Sequence, residues 1–174
     1  MIYIVTGLPR NGKTFFLVRV LLNELRTRRR RIYTNLPLDL AKIKAWLIKR
    51  KLDPALLDLI TILGPLECRD FYMHRPTPPQ VSPNSDLPLV YGPECMEGDG
   101  CLYIISEAHL VGFDAHRWKE IESSCKFYMS QHGKLKDDVY LETQHIDKLA
   151  KPLKLDVQYY YKIEYMRRQH VLFF

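Results

Sequence analysis

The sequence predicts an α/β fold, with a central, mainly parallel sheet flanked by helices. Three observations carry this. Short apolar runs of strand length recur along the chain, at residues 1–6, 32–35, 60–63, 101–106 and 138–144, and such runs suit strands buried in a sheet. Segments of helical periodicity stand between them, the clearest being Leu17, Leu21 and Leu25 with Val18 and Leu22 beside them. The first strand, Met1-Ile2-Tyr3-Ile4-Val5-Thr6, runs straight into Gly7-Leu8-Pro9-Arg10-Asn11-Gly12-Lys13-Thr14, and Phe15 and Phe16 then open the first helix.

That loop fits the pattern G-x-x-x-x-G-K-[ST] at every fixed position, in the strand–loop–helix setting the chemistry needs. Its glycines permit a tight turn whose N–H groups can surround a phosphate, and the positive end of the helix dipole faces the same point. Residues Gly7 through Phe15 are therefore the candidate nucleotide-binding set. Lys13 is placed on the β- and γ-phosphates, and the Thr14 hydroxyl on Mg²⁺. ATP and Mg²⁺ are the expected cofactors, and a P-loop NTPase is the expected fold.

The remaining elements follow in order. The first helix is expected to run to about Arg30, and residues 32–35 form the second strand. Asp39 is the expected N-cap of a helix with Ile43, Trp46 and Leu47 on one face. Asp53-Pro54 signals another helix start, and residues 60–63 a strand ended by Gly64-Pro65. Residues 76–100 hold six prolines (Pro76, Pro78, Pro79, Pro83, Pro88 and Pro93) and read as a long irregular excursion in which no helix survives. Cys101-Leu102-Tyr103-Ile104-Ile105-Ser106 restores order. A helix is expected over 116–130, with Trp118, Ile121, Cys125 and Tyr128 inward. A strand over 138–144 and a helical piece over 146–150, stopped near Pro152, come next. The tail alternates Val157, Tyr159, Tyr161, Ile163 and Tyr165 against Gln158, Tyr160, Lys162 and Glu164, which predicts a β-hairpin over 156–174.

Composition bounds the class. A chain of 174 residues with 47% hydrophobic and 26% charged residues is expected to be a single globular domain. No window approaches a membrane span, and no secretory signal precedes the first strand, so a cytoplasmic setting is expected. The four cysteines, Cys68, Cys95, Cys101 and Cys125, are read as reduced thiols, and a zinc site from Cys95, Cys101, His109 and His116 matches no familiar spacing. The net charge is +6, concentrated at Arg26, Arg28, Arg29, Arg30 and Arg31, with a looser group at Lys148, Lys151 and Lys154. The arginine run is either a solvated helix end or a site for DNA or anionic lipid.

Hydrolysis needs a carboxylate beside the γ-phosphate. The apolar strand ending in Ser106-Glu107 supplies one. Glu107 is the expected catalytic carboxylate, acting on the attacking water. An acidic residue usually precedes it and holds Mg²⁺ through water; here that place is taken by Ser106, whose hydroxyl brings no negative charge. Weakly held Mg²⁺ with slow turnover is one consequence. Compensation by a nearby acid, Glu142 or Asp114, is the other. Thr143 and Gln144 occupy the place of a γ-phosphate sensor at the tip of an additional strand, between the strand before the phosphate loop and the strand before Glu107.

This ordered set resembles the zonula occludens toxin-like family, whose members include the gene I assembly proteins of filamentous phages. The resemblance rests on V-T-G-x-x-x-x-G-K-T, Thr34-Asn35-Leu36, Ile104-Ile105-Ser106-Glu107-Ala108 and Thr143-Gln144-x-x-Asp147-Lys148. It implies an ATPase domain of the additional-strand type, the cytoplasmic part of a longer protein held at the host bacterial inner membrane by a segment outside this chain. It implies a motor for virion assembly and export of single-stranded DNA, acting as a homo-oligomer such as a hexamer. Other phage assembly proteins, coat protein and a single-stranded DNA–protein complex would be its partners. Ser106 departs from the family pattern, as does Lys151 where family members carry arginine. Two other classes fit a phosphate loop: a nucleotide-binding scaffold with little turnover, and a small-molecule kinase with Arg75 and the excursion as its lid.

Overall fold

The computed structural model describes residues 1–82, 89–93, 99–114, 116–121 and 123–164. Its frame is one sheet of six strands: β1 (Ile2–Thr6), β2 (Ile32–Thr34), β3 (Ile60–Ile62), β6 (Leu102–Ile105), β7 (Asp138–Glu142) and β8 (Tyr159–Lys162). The order across the sheet is β3-β2-β6-β7-β1-β8, and every pairing is parallel. β7 thus lies between β1 and β6, the additional-strand arrangement the sequence predicts. The remaining strands, β4 (Gln80–Val81) and β5 (Leu89–Val90), form a separate antiparallel ribbon.

Both faces of the sheet are covered, which is why its inner strands read as unbroken apolar runs. On one face α1 (Lys13–Thr27) and α2 (Leu40–Lys49) bury Leu17, Leu21, Leu25, Ile43 and Leu47 against Val5, Ile32, Leu102 and Ile104. On the other, α3 (Ser123–Gln131) sets Cys125, Tyr128 and Met129 among Ile4, Tyr103, Ile105, Val139 and Leu141, with Phe71 and Phe113. Leu153 of the short α4 (Lys151–Leu155) closes that core. Asp39 caps α2 as expected, its side chain accepting from the Lys42 N–H at 3.1 Å.

Several boundaries differ from expectation for physical reasons. α1 stops at Thr27 rather than near Arg30, because the chain turns through Arg29 (φ 57°) to bring Arg30 back onto Glu24. Asp53-Pro54 starts a 3₁₀ turn, Pro54–Leu59, since the next residue already enters β3. The 116–130 helix is broken: Asp114 accepts the N–H groups of His116 and Arg117 and fixes a short 3₁₀ turn, Arg117–Lys119, ahead of α3. Pro152 sits in the first turn of α4 and helps start it, where the missing N–H is no loss. The excursion carries the β4–β5 ribbon, whose Leu89 is buried and whose neighbour Tyr91 stacks on Phe127 of α3. β8 is a parallel edge strand on β1; the return strand of the expected hairpin, 171–174, lies outside the described residues.

Candidate nucleotide site at the strand ends

The phosphate loop leaves β1 at Gly7 and enters α1 at Lys13. A Cβ on Gly7 (φ 152°) would meet the Ile163 carbonyl oxygen at 2.3 Å, so only glycine lets the loop pass the end of β8. Asn11 ties the loop to the same point, its Nδ2 donating to the Ile163 carbonyl at 3.3 Å. Gly12 precedes α1 in the left-handed region (φ 90°), with no side-chain cap on the helix. The first N–H groups of α1, beginning with Lys13, Thr14 and Phe15, lack intrahelical acceptors by helix geometry and are suited to an anion. Leu8, Pro9, Arg10, Gly12, Thr14 and Phe15 are exposed, as a loop that meets a ligand must be.

Lys13 itself is buried. Its Nζ donates to the carbonyls of Gly7 (2.8 Å) and Leu8 (3.3 Å) and lies 3.3 Å from Glu142 Oε1. Glu142 ends β7 and is 2% exposed. Its other oxygen, Oε2, accepts from Ser106 Oγ at 2.7 Å and from the Glu107 backbone N–H at 3.0 Å. The parallel register that pairs Ile105 with Leu141 sets Ser106 and Glu142 side by side at the strand ends. Asn35, just past β2, clamps the same turn from the other side: its Nδ2 donates to the Ser106 carbonyl at 2.9 Å, and the Ser106 N–H donates to its Oδ1 at 2.6 Å.

Glu107 is held in the left-handed region (φ 49°, ψ 46°), an unusual conformation for a non-glycine residue that supports a functional role. Its Oε1 accepts from Gln144 Nε2 at 3.4 Å, and its Oε2 is buried with no hydrogen-bond partner, 3.4 Å from His109 Nδ1. Gln144 Oε1 in turn accepts from Lys148 at 3.0 Å, and Thr143 Oγ1 meets His109 Nδ1 at 3.1 Å. Burial, then the Lys148 ammonium, lowers the His109 pKa, so the ring is held neutral beside Glu107.

Lys13, Ser106, Glu107 and Gln144 therefore meet through a continuous set of contacts at the ends of β1, β6 and β7. Thr14 opens α1 directly after Lys13. Asp114 stands apart from this set: its carboxylate accepts two backbone N–H groups and pairs with Arg117 Nε at 3.0 Å. Arg75, the expected lid arginine, is 5% exposed and paired with Asp137 at 3.2 Å, which removes it from a lid. Among the described residues no group of three or more His, Cys, Asp or Glu could hold a metal, and Cys95 lies outside them. Cys68, Cys101 and Cys125 are free and buried. Asn35 and His109 join the nucleotide site without having been expected there, His109 having been weighed only as a zinc ligand; the Thr34-Asn35-Leu36 element is the signal for the first, and the place of His109 two residues after Glu107 a weaker one. A groove of about 650 Å³ beside α1, lined by Tyr3, Phe16, Arg19, Trp46 and Tyr140 among others, includes no residue of the phosphate loop and is a separate feature.

The solved N-terminal domain of zonular occludens toxin from Neisseria meningitidis shares this fold at TM-score 0.54 and 17% identity, covering 92% of this chain and 75% of that one. The genome packaging NTPase B204 from Sulfolobus turreted icosahedral virus 2, solved with AMP, matches at TM-score 0.55 and 11% identity, covering 90% and 71%. The same NTPase solved with ATP-gammaS matches at TM-score 0.53 and 13% identity, with the same coverage. These likenesses establish a P-loop NTPase-like fold. No curated protein matches the sequence significantly. The Zonular occludens toxin (Zot) family matches residues 1–169, nearly the whole chain, and the chain belongs to that family.

Proposed function

We propose that the chain is an ATP-hydrolysing motor domain for filamentous phage assembly, driving export of single-stranded DNA virions through the inner membrane. The observation that carries this reading is the meeting of Lys13, Glu107 and Gln144 at three neighbouring strand ends, with one buried oxygen of Glu107 lacking a hydrogen-bond partner. Membership of the Zot family and the likeness to a viral packaging NTPase support a phage-related nucleotide-binding motor.

The residues divide the work. The loop N–H groups from Gly7 to Phe15 bind and orient the phosphates, and Lys13 turns from the Gly7 and Leu8 carbonyls to the terminal phosphate oxygens. Glu107 orients the attacking water and takes its proton on the unpartnered oxygen. Gln144, joined to Glu107 Oε1 and Lys148, couples the state of the γ-phosphate to that carboxylate. Thr14 and Ser106 are the hydroxyls that would hold Mg²⁺, Thr14 directly and Ser106 through a bound water. These hydroxyls, with the Glu142 carboxylate 2.7 Å from Ser106 Oγ, fit an ion that keeps several waters and substrate oxygens as ligands. When bound, Mg²⁺ neutralises charge on the transferring phosphoryl oxygens. Ser106 brings no charge of its own, and turnover is slow unless the Glu142 carboxylate, 2.7 Å from its Oγ, supplies one.

In this reading the domain acts in the host bacterial cytoplasm at the inner membrane, as a homo-oligomer such as a hexamer. Coat protein, other phage assembly proteins and a single-stranded DNA–protein complex are its partners. The resemblance to gene I assembly proteins supports these assignments. Among the described residues no helix is long and apolar enough to cross a membrane. Purified protein should release phosphate from ATP, and Glu107→Gln should keep nucleotide binding while losing roughly 100-fold or more in release. Persistent release in that variant removes Glu107 from its role. Nucleotide binding without turnover at any Mg²⁺ concentration, with or without DNA, favours a scaffold, which Ser106 would explain.

A further inference from the structure

We propose that Glu142 supplies, from the neighbouring strand, the cation-side carboxylate that Ser106 lacks. The inference rests on the nucleotide-site reading above and deepens it. Three contacts define the position of this group: Lys13 Nζ at 3.3 Å on Oε1, and Ser106 Oγ at 2.7 Å and the Glu107 N–H at 3.0 Å on Oε2. The parallel register makes 106 and 142 lateral neighbours, so a short side chain at 106 leaves room for the longer one at 142 to reach the same place. The negative charge is moved by one strand and remains beside the phosphate loop.

The charge balance requires a second cation. Glu142 is 2% exposed, and Lys13 is its only ion-pair partner among the described residues. Lys13 has a competing duty, because a phosphate-loop lysine binds the terminal phosphates. Once its ammonium turns to them, a buried carboxylate is left with two neutral donors, an arrangement that carries a steep desolvation penalty. A hydrated divalent ion, held by Thr14 and the phosphates, provides the replacement charge, and its waters can donate to Glu142 and Ser106. Ser106 then orients the carboxylate, and Glu142 carries the charge.

The test uses Mn²⁺ and a non-hydrolysable ATP analogue, with free Mn²⁺ read by electron paramagnetic resonance. Glu142→Gln should raise the half-saturating Mn²⁺ concentration between roughly ten- and a hundredfold, the usual effect of losing an outer partner of a metal site. Ser106→Asp added to Glu142→Gln should bring it back toward the wild-type value. Unchanged Mn²⁺ binding in Glu142→Gln overturns the proposal, and so does tighter binding, which would confine Glu142 to neutralising Lys13. Should that variant fail to fold, the wild-type protein still decides: Mn²⁺ with nucleotide should broaden the Glu142 side-chain carboxylate NMR signal more than that of Glu24, which is tied through Arg30 to the opposite end of β7, and an unaffected Glu142 signal overturns the proposal. A wild-type protein that binds no nucleotide with or without Mn²⁺ sinks the nucleotide-site reading itself, whereas nucleotide binding with an insensitive Glu142 sinks only this inference.

Discussion

Ionisable residues here divide into those paired for structure and those left with an open oxygen at the strand ends. Glu107 is of the second kind: it is partly exposed, its backbone is left-handed, and its buried Oε2 has no hydrogen-bond partner. His132 belongs to the first: it is 6% exposed, and its Nδ1 meets the Met129 carbonyl oxygen at 2.8 Å. Burial first, and the N-terminal ammonium among the charges, pull its pKa below the ordinary 6.5. The unfolded chain therefore takes up this proton at a higher pH than the folded one. The stability tied to a neutral His132 is fully present above 6.5 and declines as pH falls below it. His109 has a shift of the same sign. Melting curves at pH 7.5 and 5.5 should show a drop for the wild type and a smaller drop for His132→Gln; equal drops would remove His132 as the source.

At the scale of elements, the phosphate loop depends on the edge strand beside it. Gly7 faces the Ile163 carbonyl and Asn11 donates to it, while β1 is the one strand that β8 pairs with among the described residues. Gly7→Ala should lower the melting temperature and abolish nucleotide binding together, because its methyl group displaces either the loop or the end of β8. A variant that retains full affinity would show that the loop can shift without losing its function. Local pattern was sufficient for α1 and α2, whose apolar faces are written every three to four residues. In the tail the alternation gives a strand, β8, but all of Tyr159–Lys162 is exposed, so it does not mark a buried face. The rings of Tyr159 and Tyr161 instead align with Tyr3, at 5.1 and 6.2 Å, and extend an aromatic ladder along the sheet.

Across the whole molecule, one arginine of the basic run changes category. Arg30 is 5% exposed and reaches Glu24 at 2.7 Å and Asp138 at 2.7 Å, joining the end of α1 to the start of β7. Burial opposes the Asp138 charge, but the Arg30 guanidinium and the N-terminal ammonium hold its carboxyl below the ordinary range. Arg30→Ala leaves Glu24 without its cation and Asp138 with only Arg28 and the N-terminal ammonium, and should cost about 3–5 kcal/mol in urea denaturation; a loss near zero would place the pair among surface bridges. Arg26, Arg28, Arg29 and Arg31 remain exposed and form the candidate anion-binding surface. Single-stranded DNA should bind it with an affinity that falls steeply with salt, and replacing the four with glutamine should flatten that slope. Binding unchanged by the replacement would leave the run as a solvated helix end.

Legible from the amino-acid sequence alone were the phosphate loop, the strand before it, the helix after it, and Glu107 and Gln144 as polar residues where apolar strands end. These depend on short-range geometry: a tight glycine turn, an apolar run of strand length, and a polar residue where such a run ends. It also named Glu142 and Asp114 as acids that could offset Ser106, beside a reading in which none does. Which of the two lies next to Ser106 is a matter of tertiary structure. Ser106 and Glu142 are 36 positions apart in the chain and become neighbours through the parallel register of β6 and β7, while Asp114 is committed to Arg117 and two backbone N–H groups. The same holds for Arg30, whose partner Asp138 lies 108 positions away. Strand order and register are long-range properties, set by how two helical layers cover one sheet, and they decide which charges share a buried site.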